Sequence, residues 1–392
     1  MKKLLNRNYP NLNYYHKNLL IFKIHLKKNM VEKIDDNDGN FDIEKTSRKL
    51  ASIQIISNLE KHLNAEKLLI ATILGWNVVC NISDNFKIGS KVVYFEIDSL
   101  LPSDKKYCEF MKDKKFRVKT VKLRGELSQG LALPLTILEE HNLSSNPDDY
   151  QEGQNLTELL GVTKYENDAD EKMPNPNSGN GKKVGSFPDH YGFAKTDEPR
   201  IQSSPKILEN FKGKPFYATL KYDGTSTTYC YDINKDEMFI LSRNMRRPYD
   251  KSDVYSKIYD IYNIESILKS EKGKYAIQGE TYGPSIQKNL LEVKELQFAV
   301  FNVFDMEEKK YLDLKDVLAF CSKHKLPFVD IILKGDSFNL SIEELKKLSK
   351  GNYKNTKNPR EGLVFRLMDS WNDKMIRSSF KIINDDYLLN KK

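Results

Sequence analysis

From Ala51 to Gly161 apolar and polar residues alternate in short runs, and glycines break the runs apart. Leu69–Cys80 and Lys91–Asp98 carry the two-residue period of strands, with Gly89 and Ser90 as a turn between them. Phe116–Arg124 alternates cleanly before Gly125 and Gly130. After residue 187 the rhythm mixes. Strand-like runs at Tyr217–Tyr229, Glu237–Ser242, Lys274–Gly279, Leu296–Phe304 and Gly362–Leu367 are interleaved with helical periodicity at Ser252–Ser270, Leu314–His324 and Ser341–Lys350. The last helix has Ser341 and Glu344 in capping-box spacing and Gly351 as its stop.

Several short strands with glycine turns over roughly 100 residues predict a small barrel of the OB type. The second half lacks a regular βαβ rhythm, so the fold class expected is α+β with antiparallel sheets. Residues 166–186 are polar, aperiodic and rich in Pro, Gly and Asn, which reads as a linker. The expected organisation is an N-terminal extension over 1–45, a barrel over 46–162, a linker over 163–186 and a second domain over 187–392.

A net charge of +8 invites a nucleic-acid partner, but the charge is unevenly spread. The first 29 residues hold seven basic residues and no acid, so the rest of the chain nets +1 and any nucleic-acid surface must be local. The acid-free start reads as a disordered tail, a start upstream of Met30, or an organelle-targeting segment. The cysteines Cys80, Cys108, Cys230 and Cys321 lack zinc-like spacing and are expected as reduced, buried thiols. Reduced thiols suit an intracellular chain, cytoplasmic or nuclear, or organellar if the basic start is a targeting segment, and no apolar run is long enough to span a membrane.

Chemistry concentrates at Lys221-Tyr222-Asp223-Gly224. A lysine ends a strand, an acid two positions on shares its face, and a glycine lets the backbone turn or a ligand approach. Further stretches follow in order: Ser242-Arg243, Glu280 at a strand end, Phe298 with Phe301 and Asn302, Glu361-Gly362 entering a strand, and Lys381 alone within another. There is no Gly-x-Gly-x-x-Gly or Walker loop, so phosphates would be held by side chains.

This ordered set resembles the covalent nucleotidyltransferase superfamily of DNA ligases, RNA ligases and mRNA capping enzymes. A barrel ahead of the transferase domain is similar to the Deinococcus-type RNA ligases, as are Tyr94–Pro102, Leu123–Gly130, Lys195–Gln202 and Ser379–Ile383. The resemblance covers residues 50–392 and implies an ATP-grasp-like ligase domain. It implies an ATP-dependent RNA ligase that joins 3′-OH and 5′-phosphate ends in RNA repair, through AMP bonded to Lys221. Lys381 would assist catalysis and meet the α-phosphate. Leu220, Arg243, Glu280, Phe298 and Val364 would line the nucleotide site, with Phe301 as the alternative stacker. Asp223, Glu280 and Glu361 would hold Mg²⁺ or Mn²⁺, and Asp98 and Arg124 would orient pyrophosphate. A free lysine is protonated at neutral pH, so Lys381 and the metal would have to favour its neutral form.

Two positions depart from the pattern. The family often has Glu before the nucleophile where this chain has Leu220, and relatives outside that family have a Lys two positions before the last lysine where it has Ser379. The implied partners are RNA ends in a nicked duplex, with no membrane and a monomeric enzyme. A capping-type guanylyltransferase and a non-catalytic OB-fold RNA-binding protein are the alternatives.

Overall fold

In the computed structural model, residues 48–165, 185–368 and 379–390 are described. The expected extension over 1–45 and most of the expected linker lie outside them.

The first domain is a small antiparallel barrel. Its main sheet has five strands in the order Trp76–Asn81, Leu68–Ile73, Ala51–Lys61, Lys91–Phe95 and Leu131–Leu133. The long Ala51–Lys61 strand pairs on both sides, and a register shift between Ile56 and Asn58 bends it. Inward residues such as Ile53, Val93 and Phe95 fill one core cluster, and Trp76, Val92 and Tyr94 another. The run read as one strand over Leu69–Cys80 is a hairpin, because Leu74 adopts φ +55° ahead of Gly75. Gly130 is required where it stands. It has φ +108°, and a Cβ there would run into the Tyr94 ring. Residues Thr163–Lys164, assigned to the linker by sequence, pair with Ser99–Leu100 of the barrel.

The second domain holds two antiparallel sheets. One has four strands in the order Ile331–Gly335, Phe216–Lys221, Gly362–Leu367 and Ser379–Ile383. The other has six, with Thr225–Asp232, Tyr275–Tyr282 and Gln297–Asp305 at its centre. Strand alternation puts Phe216, Ala218, Leu363, Phe365, Phe380 and Ile382 on one face of the first sheet, where they form an apolar core. The opposite face is left for polar work. The helices Leu314–His324 and Ile342–Ser349 stand where periodicity placed them, and Ser341 and Glu344 close the capping box. The Ser252–Ser270 pattern is two helices, Val254–Ile261 and Ile264–Ser270, broken by Asn263 at φ +49°. Asparagine tolerates that left-handed geometry better than most residues. All four cysteines are buried and unpaired. Among the described residues no helix is long and apolar enough to cross a membrane.

Candidate active site

Lys221 ends one strand of the four-stranded sheet, and Thr225 begins a strand of the six-stranded one. The tetrad therefore crosses from sheet to sheet at the cleft between them. Gly224 is needed for the crossing, since a Cβ there would strike the Thr281 carbonyl and lie 2.8 Å from the Glu280 side chain. Glu361 enters the neighbouring strand, and its carboxylate accepts from Lys221 Nζ at 2.9 Å. Gly362 after it has φ +152°, and a Cβ there would run into the Ile382 carbonyl.

Four ionisable groups thus meet in a largely buried place. Burial by itself would push the Lys221 ammonium down, but Glu361, Glu280 and Asp223 outweigh it and hold the lysine above its ordinary range. The expected neutral amine is therefore not what these neighbours produce by themselves. Glu280 is pushed up to about 8, first by burial and then by Glu361 and Asp223, with Lys221 opposing. One ammonium faces three carboxyls. That surplus of hard oxygen donors fits a divalent cation such as Mg²⁺. Among the described residues no trio of Asp, Glu, His or Cys is gathered at direct metal-ligand spacing. Asp223 is taken by the Tyr387 hydroxyl at 2.8 Å and Glu361 by Lys221. A cation here would be held partly through its own water shell.

Lys381 lies on the same sheet face as Lys221. The register pairs Lys221 with Gly362, Thr219 with Val364, and Val364 with Lys381. Val364 is thus a buried floor residue between the two lysines' rows. Burial pushes Lys381 down to about 8, with Lys221 and Arg200 adding to the effect and Asp197 opposing it. Its Nζ donates to Asp197 at 2.7 Å, and Arg243 reaches the same carboxylate at 2.8 Å. Burial opposes ionisation of Asp197, but Lys381 and Arg243 prevail and hold it well below the usual carboxylate range.

Asp197 belongs to a strap over 194–203 that binds the Lys381 strand to the barrel. The Lys381 N–H donates to the Pro199 carbonyl at 2.8 Å. Glu198 accepts from Arg366 at 3.2 Å and from the Ser379 hydroxyl. Arg200 reaches Asp98 of the barrel at 3.3 Å, and Arg117 holds the other oxygen of Asp98 at 2.9 Å. The Gly75 N–H donates to the Gln202 carbonyl at 2.9 Å.

Residues 50–135 match a family model described as an OB-fold domain, and residues 214–383 match one described as RNA ligase. Naegleria gruberi RNA ligase solved with pyrophosphate is 30% identical, with a TM-score of 0.74, over 88% of this chain and 99% of that one. A variant of that ligase solved with ATP and Mn is 29% identical, with a TM-score of 0.76, over 87% and 99%. Another, solved with AMP and Mn, gives 28%, 0.76, 88% and 99%. The chain belongs to the RNA ligase family. No curated protein matches it significantly.

Two expected site residues, Phe298 and Arg124, stand apart from these groups, and Leu220 faces an apolar cluster beside them. Phe298 has no exposed surface and packs edge-on against Tyr229 and Tyr262, at ring-centre distances of 5.7 and 6.1 Å. It is a core residue and cannot stack on a base. Phe301, three positions along the strand, lies on the opposite face and keeps partial exposure beside Leu220 and Tyr222. Leu220 points away from Lys221 into that apolar cluster. Its N–H donates to the Asp330 carbonyl at 2.8 Å, so it offers a nucleobase neither a polar side chain nor an unused backbone donor. Arg124 is exposed on the hairpin turn between Thr120–Leu123 and Glu126–Gln129, with φ +48°. Asp98, by contrast, is tied to the Lys381 strand through Arg200.

Four residues bonded to these groups carried no role in the sequence reading: Asp197, Glu198, Tyr353 and Tyr387. The strap could have been suspected from its Asp-Glu-x-Arg polarity. The tyrosines gave no local signal. Tyr353 is buried, and its hydroxyl donates to the Lys221 carbonyl at 3.0 Å and accepts from the Glu361 N–H at 3.1 Å.

Proposed function

We propose that this ligase seals RNA through AMP bonded to Lys221, using ATP and a divalent metal, on 3′-OH and 5′-phosphate ends of a nicked duplex. It would act as a monomer in RNA repair. The observation that carries this reading is the Lys221–Glu361 contact of 2.9 Å, on the sheet face that also presents Lys381.

Lys221 must give up a proton before its nitrogen can attack, and Glu361 stands within reach of that proton. Once Glu361 no longer offers full countercharge, burial favours the neutral amine. Mg²⁺ or Mn²⁺ bound among Asp223, Glu280 and Glu361 would supply positive charge for the α-phosphate and compete with Lys221 for carboxylate oxygens. In the first step the Nζ–P bond forms and the bond from the α-phosphorus to pyrophosphate breaks. In the second, a 5′-phosphate oxygen displaces the lysine, which regains its proton. In the third, the 3′-hydroxyl attacks that 5′-phosphate, loses its proton, and AMP leaves. Lys381 and Arg243 are the cations for the phosphates, and Asp197 is the countercharge the phosphates would replace. Phe301, not Phe298, is the aromatic with exposed surface for the adenine. Asp98 would act on pyrophosphate from the barrel side.

The test is an intact-mass spectrum after ATP and magnesium. The wild-type chain should gain one adenylate, and Lys221→Ala should gain none. A gain from GTP in place of ATP would favour a capping-type enzyme. RNA binding with no adduct from either nucleotide would favour a binding module.

A further inference from the structure

Two stretches are strongly basic: residues 346–360 hold six basic residues and no acid, and the other lies in the barrel. Residues 105–119 hold seven basic residues against two acids, a net of +5. Residues 30–392 as a whole net +1, so the rest of that span is net −4. Lys106–Lys114 is a 3-10 helical segment that buries Cys108 and Met111 in the barrel core. The N–H groups of Lys106 and Tyr107 donate to Glu140 at 3.0 and 3.2 Å, which fixes the segment's start. Its outer side exposes Lys106, Lys112, Lys114 and Lys115, with Lys119 just beyond. Among these lysines stands Phe110, 58% exposed. Burying a phenylalanine is worth roughly 1.5–3 kcal/mol, but a single exposed ring is ordinary, so reading it as a contact needs a second observation.

The place of this segment supplies one. It is an excursion closed at its base by Leu101 N–H to the Phe116 carbonyl at 3.0 Å, and Val118 N–H to the Ser99 carbonyl at 2.9 Å. That base carries Asp98 and Arg117, and Asp98 reaches Arg200 beside the Lys381 strand. The basic segment is therefore rooted directly at the barrel side of the catalytic cleft.

We propose that residues 105–119 form an RNA-docking surface, on which Phe110 stacks against a base and the lysines neutralise phosphates. The ligand class is an RNA strand running out of the active site. Lysines around an exposed ring suit single-stranded nucleic acid, whose phosphates need charge and whose bases need a stacking surface. The inference rests on the RNA-sealing reading, and it deepens that reading by naming where the strand leaves the cleft.

The experiment uses the full-length ligase and a nicked RNA duplex whose 5′-phosphate strand runs on into a single-stranded tail. Binding is measured without ATP over a range of NaCl concentrations, and adenylylation by ATP is measured separately. Phe110→Ala should weaken RNA binding about 10-fold, within the range stacking of one base supplies. A combined Lys112→Ser, Lys114→Ser and Lys115→Ser variant should make the log–log salt slope shallower by about 2. Both should adenylylate at the wild-type rate, since none of these residues reaches Lys221. Unchanged RNA affinity and salt slope would overturn the proposal, as would a parallel loss of adenylylation. Because binding is read on RNA alone, the outcome is separable from that of the lysyl-AMP reading.

Discussion

Tyr353→Phe isolates what holds Lys221 in register with Glu361. Phenylalanine keeps the ring packing with Leu220 and Tyr222 but removes the oxygen that joins the Lys221 carbonyl to the Glu361 N–H. A net hydrogen bond is worth about 1 kcal/mol, and a buried group left unpaired costs about 1–3 kcal/mol. If about 2 kcal/mol of this is expressed between the two strands as reaction begins, adenylylation slows about 30-fold, since ~1.4 kcal/mol is tenfold. The assay is single-turnover transfer from labelled ATP, followed by rapid quench across ATP concentrations. The maximal rate should fall while the ATP concentration for half-maximal rate holds, because the hydroxyl touches only backbone. The melting temperature should fall by a few degrees. A Tyr353→Phe ligase that adenylylates at the wild-type rate, or loses only ATP affinity, would refute the reasoning.

Three other outcomes follow from the same charges. Glu361→Gln removes the leading countercharge of Lys221, so the lysine should label faster with an amine-directed reagent near pH 8 while adenylylation is lost; equal labelling would count against the ion pair. Asp197→Asn takes away the carboxylate shared by Lys381 and Arg243, and ATP should then bind several-fold more tightly in a titration; weaker binding would mean Asp197 helps to hold the nucleotide. Glu280 keeps its proton up to about 8 in the folded chain, against an ordinary value of 4.5. The unfolded chain binds fewer protons across that window, so metal-free stability should fall as pH rises through it. Glu280→Gln should gain in melting temperature over wild type from pH 5 to 8, and a constant difference would contradict the shift.

The Lys221 tetrad, Glu361-Gly362 and Lys381 were legible from type and order because each carries local constraints. A glycine must stand where a Cβ would strike the Thr281 or Ile382 carbonyl, and strand alternation puts the lysines on one face. Phe298 and Phe301 could not be told apart by pattern. Both are aromatic on one strand, and only the packing of Tyr229 and Tyr262 shows which face is core. The Leu69–Cys80 hairpin was missed because apolar residues run through its turn. Leu220 was placed at the nucleotide because the family often has Glu there, and only the packing shows that it stands in the apolar cluster that also holds Phe301.

Hydrophobic periodicity, glycine placement and the spacing of charged residues by themselves determined a barrel, a mixed second domain and the Lys221 tetrad as its candidate site. These are properties of neighbouring residues, so a linear reading reaches them. Only the tertiary structure decided the protonation of Lys221, the sharing of Asp197 by two cations and the grip of Tyr353 and Tyr387. Each depends on groups more than a hundred residues apart in sequence meeting in one buried place, as Lys221 and Glu361 do at a separation of 140. There a carboxylate's distance, not its presence, fixes the charge of an amine.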